Sequence, residues 1–277
     1  MTSHRTYPPG VPCWVDTDQQ DPAAAQEFYG RLFGWTFENV LPEDAAEAYL
    51  IATLDGADVA AIGSADAGDE IAWNTYLAVD DADRAAAVVT EAGGAVTSGP
   101  ADAGPGGRQA GCTDPRGAHF KLWQPRRRLG AQLVNVPGTW NFSDLLTSDA
   151  EAATGFYASV FGWEFDPFGT SKMIRRPGYA DHLAATIDPD IKKRHAESGI
   201  PPGFSDAIGF VARLPEPEPD HWRVTFAVAD RDDAVASAEK LGAAVDSSED
   251  SEWAKTTAIA DPQGARLVLS QFTPPEA

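Results

Sequence analysis

Two stretches of this chain repeat one another. Phe28-Tyr29, with Leu32-Phe33-Gly34-Trp35 and Phe37, returns as Phe156-Tyr157, Val160-Phe161-Gly162-Trp163 and Phe165 at a constant offset of 128. Trp73 and Tyr76-Leu77-Ala78-Val79 return as Trp222 and Thr225-Phe226-Ala227-Val228 at an offset of 149. Asp114-Pro115 with Gly117-Ala118 returns as Asp261-Pro262 with Gly264-Ala265 at 147. Matches in one order along nearly the whole chain mean an internal duplication, so any fold proposed must contain each unit twice. The jump in offset puts an insertion in the second copy, within 166–220. That stretch carries Ile191-Lys192-Lys193-Arg194-His195 and the proline-rich Pro215-Glu216-Pro217-Glu218-Pro219. It reads either as a lid over a cleft or as a surface excursion.

Within the first copy, 12–16 reads as a strand, 21–33 as a helix, and 36–40, 48–54 and 58–63 as three short β-rich stretches. Asp21 suits the helix start because its carboxylate can cap free amides, Pro22 fits the first turn, and Gly34 ends it. The pattern then restarts: a strand at 72–79, a helix at 82–92 stopped by Gly93-Gly94, and strands near 95, at 109–113 and at 118–124. Two βαβββ units per copy make four in the chain.

A chain of 277 residues, 43% of them hydrophobic, can hide about 75% of its unfolded surface and needs no covalent staple. Cys13 and Cys112 are its only cysteines, and both read as reduced thiols. A formal charge of −21 repels phosphate backbones and anionic lipid surfaces, which argues against nucleic acid and membrane partners. Arg126-Arg127-Arg128 is too short for a binding stripe and reads as a solvated linker between the halves. No apolar run is long enough for a signal peptide or a membrane span, so the cytoplasm is the expected location.

Four βαβββ units, with Phe-Tyr closing the first helix, Leu-Phe-Gly-Trp after it and Asp-Pro-x-Gly before the last strand, resemble the vicinal oxygen chelate superfamily. Its members include glyoxalase I, extradiol dioxygenases and bleomycin-resistance proteins. The resemblance runs from Gly10 to about Thr273 and looks closest to fused two-domain, glyoxalase-like bacterial members. It implies an α+β fold of four βαβββ modules forming two cup-shaped mixed β-sheet domains, at 11–125 and 139–273, joined by a linker at 126–138.

The resemblance also implies a divalent metal inside each cup, held by His, Gln or Glu. The ligand positions fall on Trp14 and Phe142, on Asn74 and Arg223, on Lys121 and Val268, and near Ala60 or Ala61 and Ala184 or Ala185. A catalytic metal needs at least three converging lone-pair donors, and these residues supply none that is strong, so neither metal nor other cofactor is expected. His4, His119, His182, His195 and His221 form no HxH or HExxH pattern, and no Walker loop, GxSxG elbow or CxxC pair is present.

Strand side chains alternate between faces, so fixing the ligand positions as inward fixes their neighbours. The first cup then receives Trp14, Asp16, Asn74, Tyr76, His119, Lys121 and Trp123. The second receives Trp140, Phe142 and Asp144, then Arg223 and Thr225, then Arg266, Val268 and Ser270. Trp35, Trp163, Trp73 and Trp222 recur at equivalent places and read as shared packing.

Trp14, Asp16, Asn74, Trp123, Trp140, Phe142, Arg223 and Arg266 are the candidate ligand-binding residues. Lys121, His119 and Tyr76 are candidates for proton transfer, because a Lys desolvated among rings has a lowered pKa. Two readings stay open. The chain binds and sequesters a small, largely aromatic or apolar metabolite in a metal-free cup, as bleomycin-resistance relatives do. Or it is a metal-independent enzyme of secondary metabolism, of lyase, isomerase or proton-transfer type. The alternatives are a metal-dependent glyoxalase-like lyase or dioxygenase drawing on His182 or His221, and a regulatory role with a basic protein partner. The partner expected is a small aromatic molecule, and the protein a monomer or homodimer.

Overall fold

The protein is described from a computed structural model over residues 4–42, 44–197, 200–214 and 218–274; Pro215, Glu216 and Pro217 of the proline-rich stretch lie outside the described residues. The first copy runs β1 (Pro12–Gln19), α1 (Pro22–Phe33), β2 (Thr36–Asn39), β3 (Tyr49–Leu54), β4 (Ala57–Ser64), β5 (Trp73–Ala78), α2 (Ala82–Glu91), β6 (Ala95–Ala103), β7 (Gly107–Thr113) and β8 (His119–Pro125). The second runs β9 (Trp140–Thr147), α3 (Ala150–Phe161), β10 (Glu164–Phe168), β11 (Ser171–Arg175), α4 (Tyr179–Thr186), α5 (Ile191–Glu197), β12 (Ala207–Arg213), β13 (His221–Ala227), α6 (Arg231–Lys240), β14 (Ala244–Asp250), β15 (Ala254–Ala260) and β16 (Arg266–Phe272).

The strands form two mixed eight-stranded sheets, ordered β2-β3-β4-β1-β5-β8-β7-β6 and β10-β11-β12-β9-β13-β16-β15-β14. One order maps onto the other, so a pair of βαβββ modules is realised twice, and the α+β arrangement has four modules in all. Each module's first helix starts in the same way: Asp21, Asp81, Asp149 and Asp230 accept the backbone N–H three residues on. Such a cap satisfies one of the amides that a helix start leaves without a partner. Helices α1 and α3 end on Gly34 and Gly162 at φ 76° and 66°, a left-handed turn that costs glycine nothing.

Packing groups these modules differently from the sheets. One compact unit takes the segment through Cys13 together with 75–130 and 143–222; the other takes 14–74, 131–142 and the chain from Arg223 onward. The core of the first unit joins Leu77, Phe120 and Leu122 to Leu145, Phe156 and Trp163. In the second, Phe226 packs 4.8 Å from Trp73, 5.0 Å from Phe33 and 5.6 Å from Trp35 between ring centroids.

The repeated motifs complete one another inside these units. In the second unit, Tyr29 OH donates to Asp261 Oδ2 at 2.7 Å, and Trp73 Nε1 donates to Tyr29 OH at 3.1 Å. In the first, Tyr157 OH donates to Asp114 Oδ2 at 3.3 Å, and Trp222 Nε1 donates to Tyr157 OH at 3.0 Å. The Phe-Tyr of one copy thus ends on the Asp-Pro-x-Gly of the other. The indoles after the first helices do likewise, Trp35 Nε1 donating to Gly138 O and Trp163 Nε1 to Gly10 O, both at 2.7 Å. Burial, reinforced by the adjacent carboxylates, pushes both tyrosine hydroxyls well above their ordinary range and keeps them as donors.

The insertion lies between β11 and β12 and consists of α4, α5 and a short 3-10 turn at Phe204–Asp206. It is more than a surface excursion: Tyr179, Leu183 and Ile191 enter the core of the first unit. It also ties down the N-terminal segment, because His182 Nε2 lies 3.1 Å from Thr6 Oγ1 and Arg176 Nε donates to Pro9 O at 2.9 Å.

Candidate functional site

The alternation read from the strands is present. Leu77 on β5, Phe120 and Leu122 on β8, and Leu145 on β9 enter the packed core, so Asn74, Tyr76, His119, Lys121, Trp123, Phe142 and Asp144 face the other way. Phe226 packs among Phe33, Trp35 and Trp73, which turns Arg223 and Thr225 to that same opposite face, called the front here.

On the front of β1, in the second unit, Asp16 is completely buried. Its Oδ1 accepts Asn74 Nδ2 at 2.8 Å and its Oδ2 accepts Tyr49 OH at 3.0 Å. Trp14 Nε1 donates to the same Tyr49 OH at 3.1 Å, and Asn74 Nδ2 also reaches Asp18 Oδ2 at 3.1 Å. A buried carboxylate is tolerable only with such charge-assisted partners. The sequence reading did not include Tyr49 or Asp18. Asp18 shares the parity of Trp14 and Asp16 and would have followed from running the strand to Gln19, whereas Tyr49 depends on the register of β3.

In the first unit, Lys121 Nζ donates to Tyr76 OH at 3.1 Å and lies 5.0 Å from the Tyr76 ring centroid. Tyr76 is only 2% exposed, and the Trp123 ring meets it edge to face at 6.1 Å. Trp123 is held in turn by donation of its Nε1 to Arg128 O at 2.9 Å. So Lys121, Tyr76 and Trp123 come together, while His119 sits at the exposed start of β8 with Nε2 3.1 Å from Thr97 Oγ1.

On the second copy's front, Trp140, Thr225, Val268 and Ser270 are each less than a tenth exposed. Phe142 and Arg223 are half-buried, and Arg266 is exposed with its Nε 3.4 Å from Asp246. Asp144 Oδ1 accepts the backbone N–H of Phe210 at 3.1 Å.

Other reactive groups are spoken for. Burial pushes the Cys112 thiol up to about 11 and the Cys13 thiol higher still, so both are protonated and poor nucleophiles. His195 has Nδ1 2.9 Å from Ser205 Oγ, and burial pulls its imidazole below the ordinary range. His221 Nδ1 lies beside Pro219 O at 2.9 Å. These histidines converge on no common point.

Residues 19–122 match the model of the glyoxalase/bleomycin resistance protein/dioxygenase superfamily, and residues 139–270 match a glyoxalase-like domain. The chain is 35% identical over 275 residues to "Putative glyoxylase CFP32" of Mycobacterium tuberculosis (strain CDC 1551 / Oshkosh), covering 96% of each protein. This chain belongs to the glyoxalase/bleomycin resistance protein/dioxygenase superfamily. It is also 31% identical over 276 residues to "Anthracycline biosynthesis protein DnrV" of Streptomyces peucetius, covering 94% of this chain and 92% of that one. Among solved structures it shares its fold with the Mn(II)-bound glyoxalase from Novosphingobium aromaticivorans, at a TM-score of 0.57 and 20% identity over 95% of this chain and 82% of the other. The 2,3-dioxygenase LapB from Pseudomonas sp. KL28 gives 0.58 and 13% over 97% and 94%.

The superfamily implies a divalent metal, and the residues at its positions do not fit one. Trp14, Asn74 and Lys121 stand there in the first copy, with Ala60 or Ala61 on β4; Phe142, Arg223 and Val268 stand there in the second. The fourth position of the second copy is not at Ala184 or Ala185, which lie in α4. Strand β12 pairs with β9 at Val211 and Leu145, as β4 pairs with β1 at Ile62 and Thr17, which moves that position to Gly209 or Phe210. The insertion precedes β12, so the larger offset already applies there. An indole, an amide, an ammonium, a guanidinium and alkyl groups make a donor set no transition metal favours. Among the described residues no group of three or more His, Cys, Asp or Glu is placed to hold an ion.

Proposed function

We propose that this protein binds a small, largely aromatic or apolar metabolite in a metal-free cup, as a sequestering protein or metal-independent enzyme of secondary metabolism acting in the cytoplasm. The observation that carries this reading is Lys121. At a position where the superfamily puts a metal ligand, its ammonium donates to Tyr76 OH at 3.1 Å. A cation there repels a second cation and, beside the rings of Tyr76 and Trp123, suits a planar ligand that brings a carbonyl or hydroxyl oxygen to the ammonium. Similarity along nearly the whole chain to a protein named for anthracycline biosynthesis supports a polycyclic aromatic ligand.

The same pair favours catalysis over plain binding in one respect. Lys121 Nζ and Tyr76 OH share a hydrogen bond, the contact a proton relay to a bound carbonyl or hydroxyl requires.

Metal analysis of tag-free protein, followed by titration with polycyclic aromatic ketones, tests the proposal. We expect no stoichiometric Zn, Ni, Fe or Mn, and quenching of tryptophan fluorescence at micromolar ligand. Tightly bound metal at one equivalent would reverse the ranking in favour of a metal-dependent lyase or dioxygenase. Lys121→Met should leave binding within a few-fold and abolish turnover of any ligand that the wild type converts.

A further inference from the structure

Of the eight tryptophans, six donate their indole N–H to a named partner: Trp14, Trp35, Trp73, Trp123, Trp163 and Trp222. Trp140 does not. It is 4% exposed, and its Nε1 is buried with no acceptor among the described residues. Buried donors are almost always satisfied, so an orphan needs an explanation.

Its position supplies one. Trp140 shares a face of β9 with Phe142, and the carbonyl of Thr139 accepts the N–H of Ala227 at 2.9 Å, which sets Trp140 beside β13. Ala227 is in register with Ser270 of β16. Two residues further along the same face stands Phe272, 63% exposed, its ring stacked at 6.3 Å and 22° on that of Trp253. A buried, acceptor-less indole N–H thus lies beside β13, and β13's partner β16 leads out to the exposed Phe272 and the half-buried Trp253 stacked on it, all within the second unit.

We infer that the front of β9, β13 and β16 is a binding site for a planar polycyclic aromatic ketone or quinone. The exposed Phe272 and the half-buried Trp253 stacked on it receive the ring system, and Trp140 Nε1 donates to a carbonyl oxygen at its inner edge. This rests on the reading that the protein binds a planar metabolite without metal, and adds to the Lys121 front of the first copy a second site with a named functional group. The first copy offers no equivalent, because Trp14 already spends its N–H on Tyr49 and the residue matching Trp140 is Pro12.

Calorimetric titration with anthraquinone-2-carboxylate and anthracene-2-carboxylate tests it, since the two share a ring frame and a carboxylate and differ in the quinone oxygens. In wild type the quinone should bind more tightly. Trp140→Phe keeps a ring and removes the donor; it should weaken the quinone about tenfold and leave the anthracene within twofold. The unliganded variant should melt no lower than wild type, because an unsatisfied donor has been removed, whereas a purely structural Trp140 would lower it. Phe272→Ala, at an exposed rim, should weaken both compounds. Unchanged quinone binding in Trp140→Phe, equal loss of both compounds, or no effect of Phe272→Ala would overturn the inference. Weakening by Trp14→Phe instead would move the site to the first copy and leave the broader reading standing. Binding of neither compound to wild type would overturn both.

Discussion

The backs of the two copies agree and their fronts do not. On the back, both units hold a Trp–Tyr–Asp relay, built each time from the Phe-Tyr helix of one copy and the Asp-Pro-x-Gly turn of the other. On the front, the first copy pairs Lys121 with Tyr76, and the second presents Trp140 with Arg223 and Thr225. A relay buried among rings constrains every partner at once, because each lost hydrogen bond strands another polar group. A front residue answers only to its immediate neighbours and the ligand. The duplication thus secures the scaffold and leaves each copy free to specialise.

The scaffold half of this comparison is most severely tested in the rings. The first unit has Leu77 and Phe120 where the second has Phe226 and Leu267, all buried, so each unit carries one Phe and one Leu in exchanged places. Phe120→Ala or Phe226→Ala should cost about 3–5 kcal/mol in urea unfolding. Exchanging the pair in the first unit, Leu77→Phe with Phe120→Leu, should cost less than about 1.5 kcal/mol and less than Leu77→Phe alone. Equal losses in the single and double variants would show that the two cores are not equivalent.

Asp261 and Asp114 come next. Asp261 accepts a 2.7 Å bond from Tyr29 and a 2.8 Å bond from Gln19, where Asp114 has a 3.3 Å bond from Tyr157. Asp261→Ala should therefore destabilise by roughly 3 kcal/mol, and Asp114→Ala by less. The reverse order in thermal unfolding would break the assignment of the tighter relay to the second unit.

Acid titration sharpens the contrast inside the first unit. Burial opposes the charged form of Asp114 and pushes its carboxyl up. The folded state then holds the proton longer than the unfolded chain, so this group costs stability as pH rises between the two pKa values. Burial also opposes charging of Asp220, but bonds from Thr147 and Ser148 and the nearby Arg116 outweigh it and hold that carboxyl below its ordinary range. Its stabilising contribution is complete above the unfolded pKa and is lost as pH falls through the folded one. Melting temperatures of Asp220→Asn should consequently fall less steeply in acid than those of wild type, and Asp114→Asn should lose the decline above the ordinary carboxylate range.

The smallest effect is expected from the indoles. Trp35→Phe and Trp163→Phe each remove one 2.7 Å bond to a glycine carbonyl and should each cost about 1 kcal/mol. A clear inequality between them would mark a difference in scaffold between the copies.

Much of the fold was legible because its signals are local. The spacing of apolar residues, the Asp caps and the glycine stops lie within one helix or strand, so 21–33 and 82–92 came out as helices within a residue. The front parity was legible too, since alternation carries from one known position along a strand. Register across strands was not. The second copy's remaining ligand position was placed near Ala184 or Ala185, although the strand that carries it is β12, because an inserted segment leaves no local trace of where it ends.

By itself the sequence determined that the chain is duplicated, which faces of its strands turn to the front, and that the residues at the family's metal positions are poor ligands. Those properties reside in side-chain chemistry and in the period of the backbone. Tertiary packing was needed to bring Tyr29 and Tyr157 to the other copy's Asp and Lys121 to Tyr76, and to leave the indole N–H of Trp140 buried with no acceptor among the described residues. Hydrogen bonds require donor and acceptor within about 3 Å, and residues far apart in the chain reach that distance only once the units have packed.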